Sequence, residues 1–241
     1  MESAPTEDRL LGGRVRLLQP RRGYRVAVDA ILLSAAVDVH KGQCVLDLGA
    51  GVGAVGLCLA TRVPGCTVVA IELQDALVSL AHRNAVANGL HDRIHTVLHD
   101  IARALPEDLR SFDHVATNPP YLAAAVADPS PNPIKALATV ESSADLARWL
   151  AVAAGALARA GTLTLIHRSD RLEEIVAHLN RLGLRDITVK PLAPAARVLL
   201  RARHATTLVR RDLSPLILHR PDGGYTAEAE AILRDGQPLA F

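Results

Sequence analysis

Asn118-Pro119-Pro120-Tyr121 sets an amide, two ring-locked residues and a flat phenol in a row, directly after the apolar run "FDHVAT". An Asn-Pro pair at the end of a strand is an ordinary turn signal. A second proline adds stiffness that a turn does not need, because each ring fixes φ at about −65°. Such stiffness suits a backbone carbonyl that must be held in one direction. Tyr121 adds a face for a planar ligand, and it is conspicuous among only six aromatic residues, with Tyr24, Phe112, Trp149, Tyr225 and Phe241. A second group lies upstream. Asp47 precedes three alternating glycines, Gly49, Gly51 and Gly53, and Glu72 and Asp100 end later apolar runs. Glycines let a backbone approach a ligand without Cβ atoms in the way, and carboxylates accept hydrogen bonds from hydroxyls and amines.

Strand-helix alternation is the frame that must position these groups. "CVLDLGA", "TVVAIEL", "RIHTVLHD", "FDHVAT" and "TLTLIH" read as five strands. Helices fall between most of them: "GAVGLCLATRV" stopped by Pro64-Gly65, "QDALVSLAHRNAVANG" ended by Asn88-Gly89, and one long helix from Ser143 to Gly161. A further helix, "SDRLEEIVAHLNRLG", has Ser169 as N-cap and Gly183 as stop. "LRDITVKPL" and "ARVLLRARH" are two closing strands joined by a short Pro-Ala turn with no helix between them. The pattern predicts an α/β, Rossmann-like fold: a mostly parallel seven-stranded sheet with an antiparallel last strand and helices on both faces. One domain is expected, with a basic N-terminal extension (1–40), a ligand-binding core (41–205) and a C-terminal extension (206–241). Ligands of such sheets bind outside the carboxyl ends of the strands, where the glycines, acids and Asn-Pro-Pro-Tyr all fall.

Each strand end allows more than one reading. Gly51 to Gly56 fits the dinucleotide fingerprint G-x-G-x-x-G. Asp47 suits an ammonium group or ordered water better than a pyrophosphate. Glu72, 25 residues after Asp47, can accept from both ribose hydroxyls of a nucleoside, in NAD or adenosylmethionine alike. Asp100 can accept from an exocyclic adenine amine or cap the following turn.

Glycine loop, acid, acid and Asn-Pro-Pro-Tyr at four successive strand ends resemble the class I adenosylmethionine-dependent methyltransferases, in particular those that methylate a planar amino group. The resemblance implies S-adenosyl-L-methionine (AdoMet) as cofactor. The chemistry fits the residues, because the lone pair of an adenine amine or an amide is delocalised. Acceptors on both N–H bonds would pull that nitrogen toward tetrahedral geometry and free the pair. The Asn118 oxygen and the Pro119 carbonyl are the two acceptors, Pro120 stiffens the second, and Tyr121 stacks the ring, worth roughly 1–3 kcal/mol per base. A sulfonium methyl donor is already activated, so the task is alignment.

The stretches Leu11 to Val37 and Leu216 to Gly236 are similar to the corresponding parts of bacterial tRNA1(Val) adenine-N6 methyltransferases, so the resemblance covers nearly the whole chain. It implies that Asp47, Gly49, Gly51 and Gly53 line the cofactor, Glu72 and Leu73 meet its ribose, and Asp100 and Ile101 its adenine. Asn118, Pro119, Pro120 and Tyr121 would hold the target base, with Asn118 also beside the cofactor. It further implies a tRNA partner. Val28-Asp29 stands where the family often has Thr-Asp; Asp29 either reaches the methionine end of the cofactor or is a plain helix N-cap. Leu122 replaces a frequent second aromatic. The same motif serves glutamine methylation of release factors, whose longer helical domain does not fit before Cys44. An NAD(P)-dependent oxidoreductase leaves Asn-Pro-Pro-Tyr unexplained, and a non-catalytic RNA-binding protein has no need of Asn118 and Tyr121.

The net charge is only +2, but five arginines (Arg14, Arg16, Arg21, Arg22, Arg25) lie between Leu11 and Val28 with no acid. Seven basic residues face one acid between Lys190 and Arg220. Basic ends suit a polyanion such as RNA. The polar N-terminus resembles no signal peptide, and the longest uncharged apolar run, Trp149 to Ala158, falls short of the ~20 residues that span a bilayer. Cys44, Cys58 and Cys66 have no CxxC spacing and read as reduced thiols of a cytoplasmic protein. His91, His95 and His99 lack the partners of a metal site, so no metal is expected. The proline-rich stretch 122–140 reads as a lid over the site.

Overall fold

The computed structural model describes residues 4–22, 25–121 and 144–241. The expected lid, Leu122 and Tyr24 lie outside these residues.

Short β-branched and leucine runs pair in parallel: β3 (Cys44–Leu48) lies between β4 (Thr67–Glu72) and β6 (Phe112–Thr117), β5 (Ile94–Leu98) flanks β4, and β7 (Leu157–Arg168) flanks β6. The chain runs from β3 outward to β5, then returns to β6 on the other side of β3. This reversal is the switch point at which such sheets open a crevice. The hairpin of β8 (Leu184–Ala193) and β9 (Arg197–His204) closes the sheet, with β9 antiparallel to both β7 and β8. The seven strands expected from the sequence are all present. Two short ones join the edge beyond them, β10 (Val209–Asp212) and β11 (Leu216–Ile217), both parallel to β8.

Strand alternation sorts side chains between two cores. Val45 faces the layer of α1 (Val28–Ala36) and α2 (Ala54–Arg62), whereas Leu46 and Leu48 face α4 (Leu146–Ala156) and α5 (Leu172–Arg181). With a period of two, Asp47 follows Val45 to the α2 side. Its lateral neighbours across the sheet are Ala70 and Ala116, both small and buried, which leaves room for a carboxylate inside the sheet layer.

The two extensions pack into the first core. The N-terminal hairpin, β1 (Thr6–Leu10) and β2 (Val15–Gln19), is held by α3 (Asp75–Ala87) through fully buried Asn84, which accepts from Leu18 N–H at 2.7 Å and donates to the carbonyls of Leu18 and Val52. The C-terminal helix α6 (Ala227–Leu233) buries Ile232 and Leu233 in the same core, and Leu239 N–H donates to Ala35 O at 2.8 Å.

Two boundaries differ from the sequence reading. The long helix stops at Ala156, because Leu157 turns to pair with Phe112 and residues 158–161 form an irregular step before the regular ladder resumes at Thr162. Ser169 caps nothing; it opens a single 3-10 turn, and α5 starts three residues later behind Arg171, whose guanidinium grips Glu174 at 2.7 Å. All three cysteines are free thiols, and burial pushes Cys58 up to about 12. Among the described residues no helix is long and apolar enough to cross a membrane.

Candidate active site

The loop from β3 to α2 has Gly49, Gly51 and Gly53 all at positive φ, but for different reasons. A Cβ on Gly49 would stand 2.6 Å from the Trp149 ring, and one on Gly53 3.3 Å from Ala81. Those two glycines make room for the protein itself. A Cβ on Gly51 meets nothing within 4 Å, so Gly51 alone presents backbone to open space. Trp149 is fixed there by donating to Thr117 Oγ1 at 2.7 Å, while Thr117 donates to Leu48 O at 2.8 Å. This chain ties the ends of β3 and β6 to α4.

The acids are built in deeply. Asp47 is 2% exposed and accepts from Gly56 N–H in the first turn of α2 at 3.2 Å. Burial pushes its carboxyl up to about 7, against the pull of that N–H. Glu72 accepts from Gly51 N–H on one oxygen and from Leu73 and Gln74 N–H on the other, all at 2.9 Å, and burial raises its carboxyl as well. About four acceptor positions exist on a carboxylate, so among the described residues one stays open. Leu73 is exposed beside it at 40%, Asp100 is half-buried and uses Oδ1 to cap Ala102 N–H, and Ile101 is buried in the second core.

At the end of β6, Asn118 and Tyr121 are half-buried and both prolines are buried. Tyr121 Oη lies 2.6 Å from the Asn118 amide Oδ1 and 2.7 Å from Asp29 Oδ2. Asp29 sits one residue inside α1, whose N-cap is Ala27 with no side-chain bond, so Asp29 is not the cap. Instead its Oδ2 also accepts from Arg197 Nε at 3.3 Å, and the Arg197 guanidinium lies 4.5 Å above the centre of the Tyr121 ring. On the sheet side His167, fully buried at the end of β7, meets the Tyr121 ring edge-to-face at 5.4 Å and stands 3.4 Å from Pro120 O. Burial pushes this imidazole down to about 4. A neutral ring donates one N–H, and Pro120 O is its acceptor.

The sequence pattern of the methyltransferase small domain matches residues 25–179. The chain belongs to that family. Curated tRNA1(Val) (adenine(37)-N6)-methyltransferases from Porphyromonas gingivalis and Aeromonas hydrophila are 31% and 30% identical to it, over 85% and 86% of this chain and 85% and 87% of theirs. A solved structure, a predicted O-methyltransferase from Agrobacterium tumefaciens, superposes with a TM-score of 0.69 at 23% identity, covering 88% of this chain and 98% of that one. The protein is an AdoMet-dependent methyltransferase of Rossmann-like fold.

The donor set of this methyltransferase fits that cofactor: an open glycine backbone at a helix N-terminus and three acids at successive strand ends. Sequence reasoning missed His167, Arg197, Trp149 and Thr117. Inspecting strand ends would have found His167, the last residue of "TLTLIH"; nothing local marks Arg197 in the β8–β9 hairpin. The basic ends are largely paired within the fold. Arg16 meets Glu7 at 2.8 Å, Arg25 meets Asp8, Arg203 and Arg211 share Asp186, and Arg210 bridges Glu173 and Asp212. Arg21 and Arg22 are exposed and make no such bond among the described residues. No group of three His, Cys, Asp or Glu among those residues is arranged to hold a metal.

Proposed function

We propose that this methyltransferase modifies the N6 amine of an adenine in tRNA, with tRNA1(Val) adenine 37, the substrate its curated relatives are named for, as the leading candidate. The observation that carries the reading is Asn118-Pro119-Pro120-Tyr121 at the mouth of the switch-point crevice, its tyrosine fixed by Asp29 and its second proline by His167. Asn118 and the Pro119 carbonyl accept from the two N–H bonds of the amine. Pro120 and His167 keep that backbone from turning, and Tyr121 takes the base on its ring. Gly51, Glu72, Leu73 and Asp100 hold the cofactor, with Asp47 and Gly53 shaping the loop beneath. Bound AdoMet supplies a methyl group already activated as a sulfonium, so these residues only align and desolvate the amine. A base in folded RNA must leave its stack to enter. Arg21 and Arg22, exposed and without a salt bridge among the described residues, lie just ahead of α1 and are the first phosphate contacts to consider in a cytoplasmic enzyme whose other basic residues are mostly paired.

The test is a labelling assay. The protein is incubated with isotopically labelled AdoMet and either total small RNA or release factors, and the products are digested for mass spectrometry. Labelled N6-methyladenosine in the tRNA fraction is the expected result. Label in a glutamine side chain moves the protein to the release-factor class, and no label in either, with cofactor bound, overturns both.

A further inference from the structure

Three oxygens converge at Tyr121: its own Oη, Asp29 Oδ2 at 2.7 Å and Asn118 Oδ1 at 2.6 Å. A phenol has one proton and can donate it once. The Asp29 carboxylate, paired with Arg197 at 3.3 Å, can only accept, so the phenol proton belongs to it. With that proton spent, two lone-pair oxygens would face each other at the Asn118 contact, which is repulsive. A half-turn of the amide about its last bond removes the conflict without changing its shape. The amide NH2 then donates to Oη, and the amide oxygen takes the opposite side.

We infer that Asp29 is a positioning residue which, through the Tyr121 hydroxyl, decides that Asn118 offers its oxygen rather than its nitrogen to the target amine. An amine with two N–H bonds to place needs acceptors; an NH2 group turned toward it would repel it. The chain Asp29, Tyr121, Asn118 makes the acceptor face the stable one. It reaches across 92 residues of sequence and uses the hydroxyl of Tyr121, separate from the stacking done by its ring. The inference rests on the proposed role of Asn118 as acceptor. It differs from a cofactor-binding role for Asp29, because it puts the loss from Asp29→Ala in turnover rather than in cofactor affinity.

The experiment measures kcat, KM for an unmodified tRNA1(Val) transcript and AdoMet affinity by calorimetry for full-length Tyr121→Phe, Asp29→Ala, Asp29→Asn and the double variant Asp29→Ala/Tyr121→Phe. Tyr121→Phe keeps the ring face and cuts the chain. The expected result is a kcat loss of about tenfold for Tyr121→Phe and for Asp29→Ala, on the scale of one misoriented polar contact. KM and AdoMet affinity stay within about twofold to threefold, and the double variant is no worse than either single one, since both cut the same chain. Asp29→Asn, whose side-chain oxygen still accepts from the phenol, recovers most of the Asp29→Ala loss. Wild-type kcat in Tyr121→Phe, losses that multiply in the double variant, or a loss in Asp29→Ala confined to AdoMet affinity would each overturn the inference. Wild-type protein that labels a glutamine instead of the transcript overturns the proposed substrate alone. The same four variants are then compared on that glutamine substrate, where the amide has the same two N–H bonds to satisfy.

Discussion

The two halves of the crevice are built in opposite ways. The proposed cofactor half is a set of short motifs at successive strand ends whose backbone and acids serve one another: Glu72 is wrapped by N–H groups of Gly51, Leu73 and Gln74, and Asp47 accepts from that of Gly56. The target half is assembled from Asp29, Asn118, Tyr121, His167 and Arg197, which arrive from four distant segments and meet through side chains. Short motifs, each local to one strand end, can be specified by spacing. A constellation of distant side chains can be specified only by the fold. The two halves should therefore fail differently when cut.

The largest effect separates them outright. Asn118→Ala should lower kcat on the order of 100- to 1000-fold, the range for one oriented polar group at a reacting centre. AdoMet affinity by calorimetry should stay within a few-fold, because the proposed cofactor contacts lie at the other strand ends. Lost cofactor affinity with normal turnover would move Asn118 into the cofactor half and erase the distinction.

Within the loop, two glycines sharpen the comparison. Gly49→Ala sets a methyl group 2.6 Å from Trp149 at a φ of 79°, which ordinary residues avoid. Overpacking and a left-handed backbone together should cost roughly 2–4 kcal/mol of stability. Gly51→Ala meets no described atom within 4 Å; only the left-handed backbone of its φ of 57° remains, and it should cost roughly 1–2 kcal/mol. It should nevertheless lose AdoMet binding if the proposed contact of its backbone with the cofactor holds. Denaturant melts and calorimetry on the pair check both. Equal destabilisation would mean that the loop has a single function.

These predictions also mark what the sequence could and could not tell. The succession of strands and helices along the chain, the glycine loop and the acids were legible because each depends on residues close in sequence and on a period of two or of about 3.6. The end of α4 was not, since Leu157 leaves the helix to pair with Phe112, 45 residues upstream in the chain. The basic ends looked unpaired because most of their acids lie outside the windows: Glu7 and Asp8 just before one, Asp186 just before the other and Glu173 further upstream, with only Asp212 inside. Asp29 was legible as a site residue but not by role, for its partners Tyr121 and Arg197 are 92 and 168 positions away.

Asp47 gives a smaller effect with a pH signature. Its carboxyl titrates at about 7 in the folded protein against 3.8 for the free group, because burial penalises the charge. A raised carboxyl favours folding fully below the lower value and loses that contribution as pH rises through the upper one. Each unit is worth about 1.4 kcal/mol at most. Asp47→Asn, neutral at every pH, should match wild-type stability near pH 4. It should become the more stable protein by on the order of 1–3 kcal/mol at pH 8 in the absence of cofactor. A stability difference that does not change with pH would mean that Asp47 is solvated as the loop breathes.

Arg197 should give the smallest effect, and it probes the other half. Its guanidinium spends one interaction on the Tyr121 ring at 4.5 Å and one on Asp29 at 3.3 Å. Both groups of the ion pair are partly exposed, so the pair contributes at most about 1 kcal/mol, and the stacked cation about 0.5–1 kcal/mol. Arg197→Ala should therefore lower stability by roughly 1 kcal/mol, and Arg197→Lys should recover the charge without the flat contact, restoring less than half. On the proposed reading the target base stacks on that same ring face, so the guanidinium and the base would compete for it. Arg197→Ala should then bind the transcript no more weakly than wild type at high salt, where the lost phosphate attraction no longer counts. Weaker binding at every salt concentration would mean that the base stacks on the opposite face and that Arg197 supports the tyrosine from behind.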